Sequence, residues 1–110
     1  MGNLGRLELL KQFTIEEPEN PFNWYALAIE YLDLDPLKAE VNFDKLLDNF
    51  EYYLPTYYTA AHFFTQKENI QKAKIIYEKG IKLANETNEI KTLNELKNAY
   101  QNFLFEYDFD

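Results

Sequence analysis

Apolar side chains recur along this chain at steps of three and four residues, not at alternate positions. Trp24, Leu27, Ala28 and Tyr31 stand at i, i+3, i+4 and i+7, which is one stripe of an α-helix. Ile90, Leu93, Leu96, Tyr100 and Phe103 recur in the same way near the end, and Leu9, Leu10 and Phe13 near the front. The breaks between stripes carry helix-start chemistry. Asn20 is placed to cap a helix whose first residue is Pro21, and Asp35-Pro36 repeats that arrangement. Pro55 opens another helix, and Asn69 is the expected cap of one more that runs to about Asn85. The front helix covers roughly residues 3–16 and closes at Glu17-Pro18, and short loops fall near Asp33–Asp35 and Lys67–Asn69.

The pattern repeats at a shift of 34 residues. Pro21 then meets Pro55, Ala26 meets Ala60, Lys38 meets Lys72, Ala39 meets Ala73 and Lys45 meets Lys79. Trp24 and Tyr58, Phe43 and Tyr77, and Leu47 and Ile81 are similar pairs in the same register. Small residues at Ala28 and Ala39 let two antiparallel helices approach closely, while the rings of Trp24, Tyr31 and Phe43 fill the space beside them. One such pair cannot cover its own apolar face, so neighbours must stack on it.

Period and residues resemble the tetratricopeptide-repeat (TPR) family, whose first helix carries W-x2-L-G-x2-Y and whose second carries A-x3-F. Trp24, Leu27, Ala28, Tyr31, Ala39 and Phe43 match it closely. In the second copy, Tyr58, Ala61, His62 and Thr65 form a degenerate first helix, followed by Ala73 and Tyr77. The resemblance implies an all-α, right-handed solenoid of antiparallel helix pairs with about six helices, similar to short stand-alone bacterial TPR proteins. The expected organisation is one domain over residues 1–110: a helix at 3–16, repeats at 21–54 and 55–88, a capping helix at 89–106 and a frayed tail at 107–110. The aromatics Trp24, Tyr58, Phe43 and Tyr77 are expected in the core.

Composition narrows the function. Only 3 Gly and 4 Pro in 110 residues favour long helices, and the absence of cysteine excludes disulfides, thiolate metal sites and cysteine nucleophiles. No apolar run approaches the ~20 residues of a membrane span. The first residues, Met1-Gly2-Asn3-Leu4-Gly5-Arg6, begin like a myristoylation site but carry Arg6 where Ser or Thr is required. They lack a basic-then-apolar signal, so cytoplasmic residence is expected. A net charge of −8 argues against nucleic acid and anionic membranes as partners. Residues 1–55 hold 11 of the 19 acids and 4 of the 11 bases, an asymmetry that would assist association between copies.

No phosphate loop, nucleophile elbow or metalloprotease motif occurs. His62, the single histidine, is expected to pack or hydrogen-bond where its helix meets the next, and no cofactor, metal or catalytic residue is expected. The TPR resemblance places partner-facing residues on the first helix of each repeat. Carried over here, these are Phe22, Tyr25, Ile29 and Leu32, then Thr56, Thr59, Phe63 and Gln66. Tyr25 and Ile29 stand where some relatives hold a chaperone's C-terminal carboxylate with Lys and Asn, so that clamp is not expected. The implied function is a non-catalytic adaptor or scaffold, a monomer or weak homodimer, that takes a peptide or helix of a partner protein in a partly apolar groove. The alternative is a structural protein that self-associates end to end.

Overall fold

The computed structural model describes residues 2–109, and among them are six helices and no strand: α1 (Gly2–Glu16), α2 (Pro21–Leu34), α3 (Pro36–Asn49), α4 (Pro55–Gln66), α5 (Ile70–Glu86) and α6 (Ile90–Glu106). The chain divides into two compact units, the first ending at Thr56 and the second beginning at Tyr57.

In the first unit, the caps do what their chemistry dictates. Asn20 Oδ1 accepts from the Phe22 amide at 3.1 Å, ahead of Pro21. Asp35 is the single residue between α2 and α3. Its amide closes α2 by donating to Tyr31 O at 2.8 Å, while its carboxylate accepts from the Lys38 amide at 3.4 Å to open α3. One residue therefore serves as both end and start, which makes this connection unusually short. Helix α1 packs on α2 and α2 on α3, around a core of Leu10, Leu27, Ala28, Tyr31, Ala39, Phe43, Leu46 and Phe50. Ala28 and Ala39 are completely enclosed, as close helix approach requires. Trp24 is half-buried. Its Nε1 donates to Pro18 O at 2.8 Å, and the Lys45 ammonium lies 4.5 Å from its ring. Arg6 of α1 pairs with Glu30 of α2 at 3.0 Å.

The second unit corrects the repeat register. Helix α4 buries Tyr57, Ala60, Ala61 and Phe64, a stripe one residue earlier than Tyr58, Ala61, His62 and Thr65. Tyr58, expected in the core, is 49% exposed. The first helices of the two repeats thus correspond at 33 residues, while the second helices keep 34, with Ala73 and Tyr77 buried like Ala39 and Phe43. The Lys38 ammonium lies over the Tyr31 ring at 5.7 Å, and the Lys72 ammonium lies over the Phe64 ring at 4.2 Å. These are the same repeat contact once both offsets are applied.

The extra residue between the two helices of the second repeat is taken up in their connection. Helix α4 hands over to α5 through three residues, closed by Asn69 N donating to Phe64 O at 2.9 Å, with Glu68 in the left-handed region at φ 61°. Asn69 makes no side-chain cap, contrary to expectation. The α5–α6 turn repeats the geometry, with Asn88 at φ 58° and Glu89 N on Ala84 O at 2.9 Å.

Helix α5 approaches α4 at Gly80, where an added Cβ would stand only 2.6 Å from Tyr57 Cβ. Helix α6 packs on α5 through Leu93, Leu96 and Phe103. The Tyr100 hydroxyl donates to Glu78 Oε2 at 2.6 Å, and Lys74 also reaches that oxygen at 2.8 Å. Lys74 first and Tyr100 second hold the Glu78 carboxyl below its ordinary pKa.

The segment expected to fray is packed over its described part. Asp108 turns the chain at φ 58°, Phe109 N donates to Leu104 O at 3.0 Å, and the Phe109 ring stacks on Phe103 at 5.8 Å. Tyr107 also lies against Phe103, at 5.2 Å. The last position of the expected frayed tail, Asp110, lies outside the described residues.

Thr56 is fully enclosed and its hydroxyl has no hydrogen-bond partner. Burying an unmatched hydroxyl costs stability that a methyl group of the same shape does not. Thr56→Val is expected to stabilise the protein by about 1 kcal/mol, and urea denaturation would show this as a raised midpoint at unchanged slope.

Candidate functional site

The groove residues expected on α2 share one stripe. Phe22 and Ile29 are 57% and 39% exposed, while Tyr25 and Leu32 are half-buried. The Tyr25 ring meets Tyr53 edge-on at 5.8 Å, and burial, then Tyr25, push the Tyr53 hydroxyl up in pKa. This is an apolar surface within the first unit.

The residues expected on α4 do not form a comparable surface. Thr56 is enclosed, Phe63 is buried with its ring edge-on to Phe64 at 5.1 Å, Thr59 is half-buried and Gln66 alone is exposed. The one-residue register shift is the cause. It turns the expected positions inward and presents Tyr58, His62 and Thr65 outward instead. His62, expected to pack where helices meet, is exposed.

Those outward side chains form one wall of an open cleft in the second unit, and α6 forms the other. One hollow of about 440 Å³ is lined by Tyr58, Glu95, Asn98, Ala99 and Asn102. A second of about 280 Å³ shares Tyr58, Ala99 and Asn102 and extends along His62, Thr65, Gln66 and Glu106 to Tyr107, with Tyr77 and Phe103 beneath. Glu95, Asn98, Asn102 and Glu106 lie at three- and four-residue steps, so they share one face of α6. Ala99, between them, leaves the space that a larger side chain would fill.

The lining is hydrogen-bonding and net acidic. Asn98, Asn102 and Gln66 carry carboxamides that both donate and accept, matching the N–H and C=O groups of a peptide backbone. The Thr65 hydroxyl donates to Ala61 O at 2.8 Å, which leaves its lone pairs as acceptors. No Lys or Arg belongs to the lining. Burial, followed by the charge of Glu106 and a hydrogen bond to it, pushes the Tyr107 hydroxyl up in pKa. Burial first, then Tyr58, does the same to Tyr77. Both phenols therefore stay protonated at neutral pH. Among the described residues, no group of three His, Cys, Asp or Glu is placed to hold a metal ion, and no helix is long and apolar enough to cross a membrane.

The sequence alone does not group Tyr58, Thr65, Asn98, Asn102, Glu95 and Glu106, which the structure brings together around the cleft. The signal for the buried stripe of α4 is present in Tyr57-x2-Ala60-Ala61-x2-Phe64, which fits the aromatic–small–aromatic pattern better than the stripe one residue later.

No protein-family model matches the chain, and no curated protein matches it. Among solved structures, it is similar to the solution NMR structure of a tetratricopeptide repeat domain protein from Salinibacter ruber. The two are 33% identical with a TM-score of 0.73, over 78% of this chain and 88% of that one. The fold is thus that of a helical-repeat interaction module, a type that is typically non-catalytic. With the same ring-and-lysine contact built into both of its repeats and this likeness to a solved relative, the chain belongs to the tetratricopeptide-repeat family.

Proposed function

We propose that the protein is a non-catalytic, cytoplasmic adaptor that holds an extended peptide segment of a partner protein in the cleft between α4 and α6. The observation that carries this reading is the row of carboxamides, Asn98 and Asn102 on one wall and Gln66 on the other, around an open hollow. An extended strand leaves half its backbone groups unpaired on each edge, and such side chains satisfy them without demanding a particular sequence.

The test is selection of binders from a displayed random-peptide library, followed by amide chemical-shift mapping with one selected peptide. Shifts are expected to cluster on residues 58–66 and 95–106. The double variant Asn98→Ala, Asn102→Ala is expected to weaken binding about tenfold, two lost hydrogen bonds being worth about 1.4 kcal/mol or more together. Shifts confined to Phe22, Tyr25, Ile29 and Leu32 would move the site to α2 and contradict this assignment.

A second reading, self-association, is favoured by the apolar side chains exposed in the first unit. Leu9, Phe13 and Ile15 on α1 are 53%, 38% and 72% exposed. It requires a mass that rises with concentration in light scattering and returns to the monomer value in Leu9→Glu.

A further inference from the structure

We infer that the α4–α6 cleft selects an extended segment carrying two cationic side chains four residues apart. This rests on the cleft being the peptide site. Glu95 lines the first hollow and Glu106 the second, while Tyr58, Ala99 and Asn102 are shared by both. Eleven residues separate the two glutamates on α6, a rise of about 16 Å. An extended strand returns to the same face every second residue, so positions i and i+4 lie about 13 Å apart. The long stems of Arg or Lys cover the remaining few ångströms. Closer pairs, at i and i+2, span only about 7 Å and reach one carboxylate at a time.

Charge sets the sign of this preference. No cation lines the cleft, so an acidic segment would face Glu95 and Glu106 without compensation, within a chain of net charge −8. The half-exposed Tyr58 ring, shared by both hollows, offers a π face to a guanidinium or to the stem that carries it. A cationic segment gains a charge-assisted hydrogen bond at each glutamate and backbone hydrogen bonds to the carboxamides.

The probe is a fluorescein-labelled nonapeptide of Gly, Ser and Thr, blocked at both ends, with arginines at its third and seventh places. Anisotropy at low salt is expected to give an affinity at least fivefold above that of the same composition with arginines at the third and fifth places. Glu95→Gln and Glu106→Gln are each expected to lower affinity five- to tenfold and to abolish the spacing preference. Asp33→Asn and Asp48→Asn, which make the same charge change in the first unit, are expected to leave affinity unchanged. Equal losses from all four variants, or no dependence on spacing, would overturn the inference and leave only the attraction of a basic peptide for an acidic protein. Selected library peptides that map to the cleft but lack basic residues would also overturn it while leaving the peptide site intact. Arginine-peptide shifts that map away from residues 58–66 and 95–106 would overturn both.

Discussion

Gly80→Ala is expected to lower the melting temperature by about 10 °C, although alanine is the better helix former. The propensity gain is about 1 kcal/mol. Against it, the new methyl would stand 2.6 Å from Tyr57 Cβ, 3.1 Å from Tyr57 Cγ and 3.3 Å from Leu96 Cδ1. A Cβ is fixed to its backbone and cannot swing aside by a rotamer change, so α4 and α5 must separate. Overpacking of this kind costs roughly 1–3 kcal/mol, and forced separation of two helices lies at the upper end. The net loss is about 2 kcal/mol, and each kcal/mol moves the midpoint of a domain this size by about 4–8 °C. Gly5 gives the opposite result from the same substitution. Nothing lies within 4 Å of its added Cβ, so Gly5→Ala is expected to stabilise α1 by about 0.5–1 kcal/mol. Thermal unfolding followed by circular dichroism checks both signs, and a neutral Gly80→Ala would mean that the close approach of α5 to α4 is wrong.

The second large effect separates the two repeat registers. Phe64 is 1% exposed, with the Lys72 ammonium 4.2 Å from its ring and Phe63 edge-on beside it. Phe64→Ala is expected to cost about 3–5 kcal/mol, the usual price of an emptied aromatic site in a core. Tyr58 occupies the place that a uniform 34-residue shift would equate with Trp24, yet it is half-exposed at the cleft. Tyr58→Ala is expected to cost less than about 1 kcal/mol. Urea unfolding of the two variants decides the matter, because the uniform shift predicts the larger loss at Tyr58 and the observed register predicts it at Phe64.

Much of this fold is legible in the sequence because its signals are local. Asn20-Pro21 and Asp35-Pro36 mark helix starts through capping and fixed φ, and the stripe from Trp24 to Tyr31 has no other regular reading. The offset in the second repeat is harder to see, because Pro55 repeats Pro21 at 34 residues and so advertises a uniform period. Proline reports where a helix begins, however, and not which of its faces is buried. That face follows from the connection: a single residue suffices after α2 because Asp35 closes one helix and opens the next, whereas α4 needs three residues and a left-handed Glu68. A one-residue slip on a helix is a 100° rotation, enough to exchange Phe63 and Thr59 for Tyr58 and His62 on the outer face.

The cleft's other wall was hidden for a different reason. Glu95, Asn98, Asn102 and Glu106 are what any solvated helix face carries, and they become a wall only because α4 stands opposite. The tail at residues 107–110 is expected from the sequence to fray. It takes Asp108 in a left-handed turn to bring Phe109 back onto Phe103.

Tyr58, His62 and Thr65 facing a peptide-sized cleft is the claim on which the functional reading rests, and the absence of cysteine makes it directly measurable. Single variants Tyr58→Cys, His62→Cys and Thr65→Cys, with Ala61→Cys as the buried reference, are exposed to a maleimide under native conditions. The account predicts fast labelling at 58 and 62, slower labelling at the half-buried 65, labelling at 61 slowed by orders of magnitude, and protection of 58, 62 and 65 by a bound peptide. Fast labelling at 61 with slow labelling at 58 and 62, or a bound peptide that protects none of the three, would contradict it.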